Sequence, residues 1–404
     1  MQTKVAIVGA GLAGLAAARS LADAGCDVVV FEKSRGKGGR VATRRTDLGP
    51  IDHGAPGVPS YLALALGGAF WLDGKDDARG VGVPGMSALA HGMATGIDVR
   101  TGVTVAGLSE RPGGWQLTDS EGGDYATFDA VILAVPAPQA GILLSHFPDM
   151  VAELARVEML PMWTLLLGFD APTGLPQGVQ DFNGPLMTAI PMLAKPGQSG
   201  AERWTVYAQP DWSAQFVDID KAEAAATLLV AFRTATQLTA NPAYIAVHRW
   251  RYARVGRALG RPFVANSEET LLAGGDWALG SLASAPAQTA VSAGLAPLAG
   301  RAGKPLEQDD LAGGRLVAEG GEGLVFGTII PFQRDLLAGK FGDDGTGAVP
   351  IAFQHMRIFV DGQEAAIIAL EHVDEALLVF SVGFPVGYRD LGDDIYCHDG
   401  SLVL

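Results

Sequence analysis

The chain opens on an uninterrupted apolar run, Val5-Ala6-Ile7-Val8, turns through Gly9-Ala10-Gly11-Leu12-Ala13-Gly14, and reaches a second run, Val28-Val29-Val30-Phe31, which closes on Glu32. Unbroken apolar runs bounded by glycine predict strands buried on both faces, and the Ala/Leu-rich stretch from Leu15 to Leu21 between them predicts a helix, so the pattern is that of a β-α-β unit in a parallel sheet. Between Ile97 and Val135 short β-type runs are broken by Gly113-Gly114 and Gly122-Gly123, and Val131-Ile132-Leu133-Ala134 returns to the parallel sheet. Residues 155–265 predict a second domain: strands near Thr164–Phe169 and Trp204–Gln209, a helix Lys221–Thr236 and a strand near Ile245–Tyr252. Leu271-Leu272-Ala273 is a further strand, ending in Gly274-Gly275-Asp276-Trp277, and Ser281–Leu298 predicts a helix with Ser284 as N-cap and Pro286 in its first turn. In the tail, Met356–Val360 and the apolar run Ala365–Leu370 flank Asp361-Gly362 as a hairpin, and Leu377–Val382 is another strand candidate.

The first turn carries chemistry. Gly9 permits the tight exit from the strand, Gly11 lets backbone approach a pyrophosphate, and Gly14 lets helix and strand pack closely. Phosphates then meet the unpaired N–H groups and positive dipole end of the helix, and Glu32 stands where an acid takes ribose hydroxyls. Directly after it, Gly38-Gly39-Arg40 resembles the second phosphate loop of flavoproteins of the amine oxidase and hydroxylase type, which points to FAD. Arg35, Lys37, Arg40, Arg44 and Arg45 make a basic cluster beside that loop in a chain of net charge −15, and guanidinium forks match phosphate oxygens in two points. Asp276, at the end of its apolar strand, is similar to the acid that such folds place on the ribityl chain. The candidate cofactor residues are therefore Gly9, Gly11, Gly14, Glu32, Lys33, Gly38, Gly39, Arg40 and Asp276, holding FAD noncovalently.

Over residues 1 to about 298 the chain resembles the renalase family of small FAD-dependent oxidoreductases. The resemblance is carried by Phe31-Glu32-Lys33-Ser34-Arg35-Gly36, Ala42-Thr43-Arg44-Arg45, Asp52-His53-Gly54-Ala55, Val83-Pro84-Gly85-Met86-Ser87-Ala88-Leu89, Ala134-Val135-Pro136-Ala137-Pro138-Gln139, His248-Arg249-Trp250-Arg251-Tyr252 and Gly275-Asp276-Trp277. The chain departs from it at Pro56-Gly57-Val58-Pro59, where the family continues with Gln, Tyr, Phe and Thr, in a shortened stretch before Val83, at Ala278, and at Ser281-Leu282-Ala283-Ser284. The resemblance implies oxidation of isomeric dihydronicotinamide nucleotides, with electrons passing to O2 and release of hydrogen peroxide. Two alternatives stay open: a flavin amine oxidase or desaturase acting on another small substrate, and a flavin-holding scaffold with an interaction tail.

Hydride loss from a carbon next to nitrogen needs no obligatory side-chain base, because the nitrogen lone pair stabilises the cation left behind; positioning supplies much of the rate. The catalytic residues thus remain open, with His53, Trp277 and His248 as candidates: His53 to steer the flavin or a substrate carboxamide, and Trp277, like Trp163, to wall a planar ring. On an alternating strand His248 and Arg249 face opposite ways, so at most one lines the pocket.

These readings assemble into an α/β protein. A Rossmann-type FAD-binding domain (residues 1–60, 83–150 and 266–300) is interleaved with an α+β substrate domain (61–82 and 151–265), and a small β-rich module follows (301–404). Charge divides the chain at the same place: residues 301–404 carry a net −10, the rest −5. That tail matches no family known to us, and oligomerisation is its candidate role. The acidic balance argues against nucleic acid as a partner. No apolar run approaches a membrane span, and no metal-type Cys/His cluster occurs. Cys26 and Cys397 are the only cysteines, so no disulfide framework exists, and the expected setting is cytoplasmic.

Overall fold

The computed structural model describes residues 2–72 and 78–279, and the strands Met356–Val360, Gln363–Ile368, Val379–Ser381, Tyr396–His398 and Ser401–Val403. The chain divides into two compact units, Met1–Pro305 and Leu306–Leu404.

In the first unit, β1 (Lys4–Val8) leads through helix α1 (Leu12–Asp23) to β2 (Asp27–Glu32). β1 lies parallel between β2 and the Ala130–Leu133 strand. The sheet runs Val264–Ala265, Leu271–Ala273, Ala130–Leu133, β1, β2, Asp98–Thr101, and within it Val264–Ala265 alone is antiparallel. Its central position explains the unbroken apolar runs. Val5, Ile7, Val28 and Val30 pack with Leu15 and Leu21 of α1. Ala6, Val8, Val29 and Phe31 pack on the other face with Trp115, Leu117 and Phe128, from and beside the hairpin Val105–Arg111/Gly114–Asp119. Each fully buried Val, Ile, Leu or Phe contributes about 1.5–3 kcal/mol, and the sheet collects this on both sides.

The second layer is a five-stranded antiparallel sheet, ordered Gln180–Asp181, Leu186–Pro191, Glu202–Ala208, Glu158–Phe169, Tyr244–Arg257. Alternation along the long Glu158–Phe169 strand divides its side chains. Trp163, Leu165, Leu167 and Phe169 pack under the helix Lys221–Thr236, against Ala224, Leu228 and Phe232, whereas Met162 and Leu166 join the core shared with the parallel sheet. The helix occupies its predicted range because Asp220 caps it, accepting the Ala222 N–H at 2.7 Å, and Gln237 ends it in the left-handed region at φ 58°. The Leu186–Pro191 strand was not predicted; it is a short apolar run bracketed by Pro185 and Pro191, and its pairing with Glu202–Ala208 supplies the order that its own sequence does not.

In the second unit, Met356–Val360 pairs antiparallel with Gln363–Ile368, so the hairpin forms with its second strand starting two residues before Ala365. Val379–Ser381, Ser401–Val403 and Tyr396–His398 form a three-stranded sheet in that order. The predicted helix Ser281–Leu298 lies outside the described residues.

Candidate active site

The glycine turn is built as a cradle. A Cβ on Gly14 would stand 1.9 Å from the carbonyl oxygen of Gly9, so only glycine lets α1 start this close to β1. A Cβ on Gly11 would meet nothing within 4 Å. That side of the turn, with Leu12 and Ala13, faces a large cavity. Gly11 caps α1 with extended backbone and no side-chain hydrogen bond, which leaves the first N–H groups of the helix without an intrahelical partner. The Gly38 N–H donates to the Ala10 carbonyl at 2.8 Å and Gly11 bridges to Gly38, so the second glycine loop lies against the first. Gly38 and Gly39 both take positive φ there, 117° and 54°.

Glu32 is held in place from both sides. Its carboxylate accepts the N–H groups of Ala10 and Ser34, each at 2.8 Å. Lys33 turns to Gln139, donating to its Oε1 at 3.1 Å. Arg40 reaches across the chain: Nη1 donates to Asp276 Oδ2 at 2.7 Å, Nη2 to Asp276 Oδ1 at 2.6 Å, and Nη1 also meets the Ala253 carbonyl at 3.2 Å. The two residues that the sequence assigns separately, one to phosphate and one to the ribityl chain, are one bidentate unit on the cavity wall.

Further along the Tyr244–Arg257 strand the wall becomes aromatic. His248 and Trp250, two residues apart and so on one face, stand with ring centroids 4.1 Å apart, and His53 packs against both, at 5.0 and 5.5 Å. Burial, reinforced by the charge of Arg44, pushes the His53 imidazole down to about 4 despite the opposing field of Asp52. Burial, then His53 and Arg44, takes His248 down to about 4 as well. Both rings are neutral at pH 7. The Arg249 guanidinium turns the other way, bonded to the Val217 carbonyl at 2.9 Å and 5.6 Å from the Trp163 ring centre, but Arg249 lines the cavity as His248 does, so the expectation that at most one of the two would do so does not hold. Trp163 is wholly buried beneath the helix. Trp277 is 1% exposed and donates its indole N–H to the Val135 carbonyl at 2.9 Å, which fixes it as a structural part of the cavity wall.

The segment Asp52-His53-Gly54 is clamped by the antiparallel sheet. Thr205 Oγ1 donates to the Asp52 carbonyl at 2.5 Å, Trp250 Nε1 to that of His53 at 2.7 Å, and the Tyr207 hydroxyl to that of Gly54 at 2.8 Å. Asp52 also forms a buried ion pair with Lys195 at 2.8 Å, the side chains 1% and 3% exposed, while its other oxygen accepts the Thr43 hydroxyl and the Met86 N–H. Sequence reasoning missed Trp250 as a wall residue and Lys195 altogether. Strand alternation from His248 signals the first; no local signal marks the second.

One cavity of about 2410 Å³ joins the glycine loops, Glu32, Arg40 and Asp276 to His53, His248 and Trp250. Drug-sized pockets run to about 300–1,000 Å³, so this space has room for a dinucleotide and a further molecule. Its donor set suits FAD: open backbone at Gly11, unpaired helix N–H groups and a preset carboxylate fit a pyrophosphate and a ribose.

A model described as an NAD(P)-binding Rossmann-like domain matches residues 7–62, and one described as a flavin containing amine oxidoreductase matches residues 57–296. The chain belongs to the flavin containing amine oxidoreductase family. It is a FAD-dependent oxidoreductase. Among curated proteins, the hydroxyneurosporene desaturase of Cereibacter sphaeroides is 49% identical over 61 residues, which are 15% of this chain and 12% of the desaturase. A candidate protoporphyrinogen oxidase from Exiguobacterium sp. 255-15 superposes with a TM-score of 0.59 at 14% identity, over 74% of this chain and 99% of that one. Cyclohexylamine oxidase from Brevibacterium oxydans IH-35A does so with 0.52 at 13% identity, over 74% of this chain and 100% of the oxidase. Identities this low establish the shared fold. Among the described residues no helix is long and apolar enough to cross a membrane.

Proposed function

We propose that this protein is an oxidase that removes a hydride from a carbon next to nitrogen in a small substrate, the isomeric dihydronicotinamide nucleotides being the class its renalase-like motifs imply. The observation that carries this reading is the single cavity that runs from the glycine loops and Glu32 to the paired rings of His53 and His248. Noncovalently bound FAD would supply the hydride acceptor, and O2 would take the two electrons with the hydride's proton and one more from water, leaving as hydrogen peroxide. Gly9, Gly11, Gly14, Glu32, Lys33, Gly38, Gly39, Arg40 and Asp276 would hold the cofactor. The aromatic end orients the substrate, and its neutral imidazoles accept or donate hydrogen bonds without adding charge. No side chain is required to take a proton from carbon, in keeping with a wall whose histidines stay uncharged. A cytoplasmic setting and an oligomerising role for residues 301–404 belong to the same proposal.

Anaerobic mixing with the 2- and 6-dihydro isomers of NAD(P) is the test. These should bleach the flavin much faster than ordinary NAD(P)H or a panel of amines, and air should restore the colour with formation of peroxide. The family match and the short desaturase match favour a second reading, oxidation of an amine or another small substrate. Rapid bleaching by an amine alone would establish it in place of the first.

A further inference from the structure

The cavity wall is strongly basic in an acidic protein. Ten lysines and arginines line it against three carboxylates, Glu32, Asp181 and Asp276, in a chain of net charge −15. Glu32 is held by the N–H groups of Ala10 and Ser34 and Asp276 by Arg40, while Arg249 and Arg251 pair with Asp218 outside the cavity lining. Arg44 stands apart from them. It sits in the two-residue strand β3 (Thr43–Arg44), paired with β4 (Ile51–Asp52), directly across from Ile51. It is half-buried and lines the cavity. Among the described residues no acid pairs with it; the nearby Asp52 is itself neutralised by Lys195. A half-buried cation without a counter-charge is costly unless an anion arrives from outside.

Its place distinguishes it from the cations around the phosphate loops. Arg44 lies opposite Ile51, and the His53 N–H continues the pairing to the Ala42 carbonyl at 3.1 Å, so Arg44 and His53 share one face of this ribbon, and the Arg44 charge disfavours protonation of His53 and His248. On the Tyr244–Arg257 strand, His248 is five residues from Ala253, whose carbonyl meets Arg40, and at about 3.3 Å per residue this is roughly 16 Å along the strand. Arg44 therefore serves the aromatic end of the cavity, away from the Arg40–Asp276 unit. Its neighbouring imidazoles are neutral, so they offer hydrogen bonds and leave the positive charge to Arg44.

We propose that Arg44 is the specificity-determining residue of the substrate end, and that the substrate carries a carboxylate or a phosphate which pairs with its guanidinium. The proposal rests on reading this end of the cavity as the substrate site. Carboxylate and phosphate each present two oxygens that accept the paired N–H groups of a guanidinium fork, and lysine reproduces the charge without the fork.

Binding to the FAD-loaded protein tests this without turnover. Flavin absorbance and tryptophan fluorescence are titrated with two matched pairs: nicotinate against nicotinamide, and nicotinamide mononucleotide against nicotinamide riboside. The anionic member of at least one pair should bind at least about tenfold tighter, the first pair reporting a carboxylate and the second a phosphate. Arg44→Met should bring that ratio close to one and Arg44→Lys should keep part of it, with FAD bound per chain equal to that of the wild type. Equal binding within both pairs, or no binding of either anion, overturns the proposal from the wild-type protein alone. So does a ratio that survives Arg44→Met, or loss of FAD from folded Arg44→Met or Arg44→Lys protein, which would make Arg44 a cofactor ligand. Failure of dihydronicotinamides to reduce the flavin would sink the proposed reaction and leave these binding ratios interpretable.

Discussion

Arg40 and Asp276 stand 236 residues apart in the chain and meet in a two-point ion pair, at 2.7 and 2.6 Å. The pair joins the second glycine loop to the start of the short helix Asp276–Leu279, so the cofactor cradle is closed by the two ends of the parallel sheet domain. Asp276→Asn keeps the shape and removes the charge. With the side chains 33% and 23% exposed, the variant should lose about 1–2 kcal/mol of stability in urea unfolding and release FAD more readily on dilution. A wild-type rate of FAD release would confine the pair to a structural role.

Gly11 and Gly14 should separate binding from folding. At Gly11 an added methyl meets open space, and at Gly14 it meets the Gly9 carbonyl at 1.9 Å. Gly11→Ala should therefore yield folded protein with little FAD, because its methyl takes up space at the phosphate cradle. Gly14→Ala should lower the yield of soluble protein. Circular dichroism and flavin content distinguish the two, and identical behaviour would refute the assignment of separate jobs.

The Asp52–Lys195 pair is nearly inaccessible, at 1% and 3% exposure. Removing one partner of such a pair strands the other, at a cost of about 3–5 kcal/mol, whereas replacing both is far milder. Lys195→Met should be severely destabilised, and Asp52→Asn in the same chain should recover part of the loss. Additive losses in that double-mutant cycle would show that the two side chains do not depend on each other.

Acid should destabilise the protein through His53. Its pKa falls from the usual value of about 6.5 to about 4 in the folded state, so between these values the unfolded chain binds the proton and the folded one does not. Stability is therefore complete above about pH 6.5 and declines as pH falls toward 4. For a ring 7% exposed, the loss should reach up to about 3 kcal/mol. Unfolding free energies from pH 7 to 4.5 should fall less steeply in His53→Asn than in the wild type; equal slopes would assign the acid sensitivity elsewhere.

Every cofactor residue named above belongs to the unit Met1–Pro305. A chain ending at Pro305 should stay soluble, yellow and reducible. Aggregation or loss of FAD would make residues 306–404 part of the catalytic fold.

What was legible in the sequence is what the backbone demands locally. The turn at Gly9, the close approach at Gly14 and the acid at Glu32 lie within one β-α-β unit, and the steric and hydrogen-bonding reasons for them act over a few residues. Apolar runs marked buried strands for the same reason, and the helix Lys221–Thr236 stands where the sequence predicts it. Alternation on one strand set the Arg249 guanidinium apart from the His248 ring, but it did not keep Arg249 off the cavity wall. Tertiary structure decided which distant groups meet. Lys195 finds Asp52 143 residues away, and Trp250 finds the His53 carbonyl 197 residues away; these pairings follow from how separate elements pack against one another, which no short stretch of chain encodes. Arg44 shows the division most plainly. The sequence placed it in a basic cluster beside a phosphate loop, while the pairing of β3 with β4 brings its charge to His53 and His248, where no carboxylate among the described residues neutralises it. Charge is written in the sequence, but its counter-charge is assigned only when the chain has folded.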